Sequence, residues 1–96
     1  MERSYILETN RAVGDNIRVV ARRLIKAGVD VTILPHKTSM AIIRPAWMTW
    51  SEFTTLLRSM IQSIGSLMLF SQSTGNVFIC SNRGNRPGEF VKYGAE

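Results

Sequence analysis

One histidine, one cysteine and seven carboxylates are the side chains in this 96-residue chain that acid–base, nucleophilic or metal chemistry would draw on. Nucleophilic catalysis needs a nucleophile and a base in hydrogen-bond reach, with a third group orienting the base. His36 stands in the turn Pro35-His36-Lys37-Thr38-Ser39, and Cys80 ends the apolar run Val77-Phe78-Ile79-Cys80. Nothing local pairs them. A histidine exchanges protons near neutral pH and can act as a base in RNA cleavage. That role needs a positioned RNA backbone, and a lone turn histidine beside a lysine reads first as a solvated side chain. Cys80 reads as a small buried hydrophobe. Glu2, Glu8, Asp15, Asp30, Glu52, Glu89 and Glu96 never fall close together in sequence. Metal sites need clustered ligands, so a zinc site is not expected and no cofactor is implied, although a Mg²⁺ site could still assemble in space, for instance in a dimer. An enzyme would have to assemble its groups in space, for instance as a small nuclease formed across a dimer.

The glycines of Arg83-Gly84-Asn85-Arg86-Pro87-Gly88 superficially resemble a phosphate-cradling loop. A P-loop also needs a lysine and Ser/Thr at fixed spacing before a helix, and these are missing. What remains is a basic segment whose Arg83 and Arg86 can reach phosphates or an acidic surface.

The stronger signal lies between Asn16 and Ala27, a stretch with four bases and no acid. Arg18, Arg22, Arg23 and Lys26 interleave with Ile17, Val20, Ala21, Leu24 and Ile25. At 3.6 residues per turn the apolar residues share one face and the bases the other. Arg18, Arg22 and Lys26 stand at i, i+4 and i+8 and form a ridge, although like charges at that spacing slightly destabilise a helix. A ridge that costs stability points to an acidic partner. The whole chain agrees, with 12 Lys and Arg against 7 Asp and Glu and a net charge of +5. Such a balance suits nucleic acid, a membrane surface or an acidic protein. Trp47 and Trp50 are two further handles, because an exposed tryptophan is a frequent interface anchor.

These residues need elements to position them. Ser4 to Thr9 reads as a strand, followed by a loop with Asp15 or Asn16 as the N-cap of the first helix. Gly28 ends that helix in the left-handed conformation. Val29 to Leu34 alternates as a strand, and Met40 to Arg44 is a third strand closed by Pro45. Thr49-Trp50-Ser51-Glu52 is a capping box, with Met48 and Phe53 at the positions of a hydrophobic staple. Phe53, Leu56, Leu57, Met60, Ile61 and Ile64 then follow a core-facing helical spacing that Gly65 ends. Leu67 to Phe70 and Val77 to Cys80 read as a hairpin. Residues 81–96 read as a largely irregular basic tail in which Phe90, Val91 and Tyr93 form an anchor or a short edge strand.

The chain is therefore expected to be one α+β domain over residues 1–96, a length sufficient for one core. The order fits a ferredoxin-like α/β plait, βαββαβ plus an extra C-terminal strand, with two helices on one face of an antiparallel sheet. Right-handed crossovers would place both helices together and leave the other face open. RNA-recognition modules stack bases on aromatics of such a face. The third strand, Met40-Ala41-Ile42-Ile43-Arg44, has no aromatic residue, and only Tyr5 and Phe78 are candidates to point outward. An open apolar face is equally explained by a homodimer packed through its sheets.

With one cysteine there is no internal disulfide, which fits a reducing cytoplasm, including that of a virus-infected cell. The sequence shows neither the layout of a signal peptide nor an apolar run long enough to span a bilayer. The leading functional expectation is a non-enzymatic protein that engages nucleic acid or a nucleoprotein complex. Its contacts would be Arg18, Arg22, Arg23 and Lys26 on the helix and Arg83 and Arg86 in the tail. The alternative is an inhibitor or adaptor of the kind carried by phages and mobile elements, which binds a host protein directly.

Overall fold

The computed structural model describes residues 3–9, 14–35, 39–60, 66–81 and 90–93. They form an α+β arrangement of one six-stranded antiparallel sheet and two helices. Strands β1 (Ser4–Thr9), β2 (Asp30–Ile33), β3 (Ser39–Ile43), β4 (Ser66–Ser71), β5 (Val77–Ser81) and β6 (Phe90–Tyr93) lie in the order β2-β3-β1-β4-β5-β6. Helix α1 spans Gly14–Lys26 and follows β1; helix α2 spans Trp50–Arg58 and follows β3. The sheet differs from the expected four-strand plait with one extra strand. Two strands are added beyond β4, and part of the presumed irregular tail, Phe90–Tyr93, pairs with β5 as the edge strand.

The period-2 pattern of β1 decides which face is buried. Tyr5 and Leu7 are fully buried, and so are their cross-strand partners Ile42, Met40 and Leu69. Leu67 and Cys80 continue this face into β4 and β5. The apolar side of α1 (Ile17, Val20, Ala21, Leu24) and Phe53 and Leu57 of α2 complete the same core. Both helices therefore cover one face. Tyr5 and Phe78 lie on that covered face, not the open one: Tyr5 stacks on Phe53 at 5.4 Å, and Phe78 meets Trp50 at 4.8 Å. The pleat forces this, since Phe78 pairs with the buried Leu69 and Tyr5 with Ile42.

The ends of the helices follow local chemistry. α1 begins at Gly14, so Asp15 and Asn16 lie inside its first turn rather than capping it. At its other end Gly28 has φ of 100°, and its amide donates to the Ile25 carbonyl while that of Val29 donates to Leu24. This is the paired-bond termination that needs a left-handed residue at Gly28, with Val29 and Leu24 both buried beside it. α2 carries the capping box in both directions: Glu52 N–H donates to Thr49 Oγ1 at 3.1 Å, and Thr49 N–H donates to Glu52 Oε1 at 2.9 Å. The staple residues Met48 and Phe53 are both buried in the core. The helix ends at Arg58, short of the Ile64 expected from its stripe; Ile61 and Ile64 lie outside the described residues. Between β4 and β5, Gly75 at φ of 77° closes the hairpin, its amide donating to the Ser71 carbonyl.

Candidate partner-binding surface

Helix α1 lies against the sheet through Ile17, Val20, Ala21 and Leu24, so its opposite side is the outer surface of the helix layer. Arg18, Arg22 and Lys26 are all exposed there. Successive members are about 6 Å apart along the axis and turned by about 40° around it. The ridge thus runs about 12 Å with a slow twist, a spacing within reach of several consecutive phosphates. Among the described residues none of the three has an ion-pair partner.

Arg23 belongs to a different part of the surface. Its guanidinium donates to Ser59 Oγ at 3.4 Å, which turns it toward the end of α2. Beside Ser59, Arg58 folds back on its own helix and donates to the carbonyl and hydroxyl of Thr54 at 3.3 and 3.2 Å. Arg58 is an exposed base the sequence reading did not single out. The signal for it was available, as a base in the last helical turn on the polar side of the α2 stripe. Arg44 is the opposite case. It is buried, and its guanidinium donates to the Met48 carbonyl, so it braces the loop from β3 to α2. Arg83, Arg86, His36 and Lys37 lie outside the described residues.

The two tryptophans separate. Trp50 is half-buried among Tyr5, Phe53, Phe78 and Phe90, with ring centroids 4.8 to 6.4 Å away. Trp47 is 66% exposed. Its ring edge rests on Gly28, where a Cβ would come within 2.9 Å of Cζ2. α1 ends at Lys26, two residues before that glycine, so the indole sits at the C-terminal end of α1. Sequence spacing gave no hint of this neighbourhood, because Trp47 and Lys26 are 21 positions apart.

Among the described residues, Cys80 and Glu52 are held in structural roles. Cys80 is fully buried, and burial pushes its thiol above the usual cysteine range; the charge of Arg58 opposes this only in part. A thiol in that state is a poor nucleophile. The hydrogen bonds from Thr49 hold the Glu52 carboxyl below the ordinary glutamate range. Among the described residues no group of three or more His, Cys, Asp or Glu is placed to hold a metal ion. No helix of the described residues is long and apolar enough to cross a membrane.

The chain matches no known family, curated protein or solved structure. Its surface has to be read from its own chemistry.

Proposed function

We propose that this is a non-enzymatic binding protein that engages nucleic acid, alone or within a nucleoprotein complex, through the outer side of α1. The observation that carries the reading is the exposed ridge of Arg18, Arg22 and Lys26 without an ion-pair partner among the described residues. Three bases in a row, with a net charge of +5 behind them, attract a polyanion and hold its backbone without reading sequence. Arg23 widens the basic surface toward α2, and Arg83 and Arg86 add charge from the tail. The chain's single cysteine suits action in the cytoplasm. For the fold, the finer description we favour is a plait over β1 to β4 with its two helices, extended by β5 and β6.

Trp47 supports a second reading, an adaptor or inhibitor that binds a protein. An indole exposed to this degree at the end of α1 is the kind of anchor that dominates protein interfaces. Co-purification from lysate, with and without nuclease, separates the two. The triple variant Arg18→Glu, Arg22→Glu, Lys26→Glu serves as control. Material that is lost on nuclease treatment and lost in the variant supports the first reading. A protein that stays bound after nuclease and is released by Trp47→Ala supports the second. Capture unchanged in the charge-reversed protein rules out the ridge for either.

A further inference from the structure

The face of the sheet turned away from the helices is apolar across most of its width. Ile43 on β3, Ile6 on β1, Met68 and Phe70 on β4, Val77 and Ile79 on β5 share it by register. Phe70 is 41% and Ile43 43% exposed. Single exposed apolar residues are ordinary, but a contiguous apolar sheet face is a contact site. The charged side chains that the described strands place on this face are Glu8 and Asp30, both acids. Phosphates and anionic lipid headgroups would meet carboxylates here and no base. The face is therefore chemically unlike the α1 ridge and suits a protein surface.

We infer that the occupant is a second copy of this chain, stacked sheet against sheet. Shape supplies the first argument. A depression of about 270 Å³ lies at one end of the face, lined by Glu8, Thr9, Ser66, Leu67, Met68 and Ile79. Phe70 projects one dyad further along the same strand, level with Ile6 and Val77. A twofold axis in the plane of contact, running across the strands between these two levels, keeps each strand over its own copy and exchanges its ends. Phe70 of each copy then enters the Met68–Ile79 depression of the other, an aromatic ring on a thioether, which is a favourable contact. Self-complementarity of this kind is what an isologous interface requires.

Area and charge agree. Six strands at ~4.8 Å spacing and ~17 Å length offer roughly 500 Å² per copy. Two copies bury about 1,000 Å², the lower limit for a specific interface. Each copy carries a net charge of +5, and stacking by the open faces keeps both α1 ridges on the outside, as far apart as the assembly allows. The same twofold sets Glu8 against Ile6 of the other copy rather than against its symmetry mate. The dimer presents two basic faces pointing away from each other.

The test is the solution mass of the full chain by sedimentation equilibrium, with Phe70→Lys and Ile79→Lys compared and their folding checked by far-UV circular dichroism. The expected result is a dimer that dissociates on dilution, with folded lysine variants at the mass of one chain. A native chain that stays monomeric at high concentration overturns the proposal, and so does a dimer that survives both substitutions. Peroxide oxidation of Met68 in the unsubstituted protein gives an answer even if the variants fail to fold. Its rate should fall as protein concentration rises; a rate independent of concentration contradicts the buried interface.

Discussion

The two faces of the sheet are built from similar side chains and have opposite fates. Leu69 and Phe70 are neighbours on β4, yet Leu69 is fully buried and Phe70 is 41% exposed. On β1, Leu7 is fully buried while Ile6 is only partly so. Apolar content does not decide which side becomes the core. The decision belongs to the helices, whose apolar stripes cover one face and whose capped ends fix where that cover starts and stops. Charge makes the same division. The helix layer carries the Arg18, Arg22, Lys26 ridge on its outside, whereas the uncovered face holds only acids among its described charged side chains.

Substitutions across this boundary should separate by size. Leu69→Ala removes a core side chain and leaves a cavity, and should destabilise by about 2–5 kcal/mol in urea unfolding. Phe70→Ala, one residue along, should cost less than about 1 kcal/mol in dilute solution, as for other exposed positions. Equal losses at the two positions would mean that both faces are covered in the folded monomer. Gly28→Ala attacks the end of the cover. It forces a side chain to φ of 100° and drives a Cβ to 2.9 Å from Trp47. The expected cost is about 1–3 kcal/mol, with displacement of the indole seen as a shift in tryptophan fluorescence.

Smaller effects test how α2 is held. Thr49→Ala should remove about 1 kcal/mol by opening the capping box. The partner in that box sets a pH dependence. The folded-state pKa of Glu52 is lowered by the Thr49 hydrogen bonds, so its contribution is fully present above the ordinary glutamate range. It is lost as pH falls through the lowered folded value. The difference in stability between the native chain and Glu52→Gln should therefore shrink on acidification, with little change between neutral pH and mild alkali. A difference that grows toward low pH contradicts the assignment.

Much of the helix chemistry was legible in the sequence, because it is local. The capping box needs only Thr49 and Glu52, and the glycine stop needs only Gly28 after an apolar period. The exposed ridge follows from spacing alone. What could not be read depends on long-range pairing. Phe90, Val91 and Tyr93 read as an anchor or an edge strand, and only the pairing with β5 decides for the strand. The outward or inward sense of Tyr5 and Phe78 depends on register, and a shift of one residue reverses it. The early end of α2 at Arg58 has no breaker residue in the sequence to announce it; the apolar spacing simply continues past it. Trp47 joins the candidate surface only because the β3–α2 loop folds onto the end of α1.

The central claim is that the outer side of α1 is an electrostatic binding site. Its most direct test is the salt dependence of binding to a short oligonucleotide duplex, followed by fluorescence anisotropy. If Arg18, Arg22 and Lys26 each neutralise a phosphate, their reversal to Glu should abolish binding. Replacement of all three by Gln should flatten the slope of log affinity against log salt by about 2.7 while the fold is unchanged. Binding of the native chain that is insensitive to salt, or a slope left intact by the Gln variant, would contradict the account.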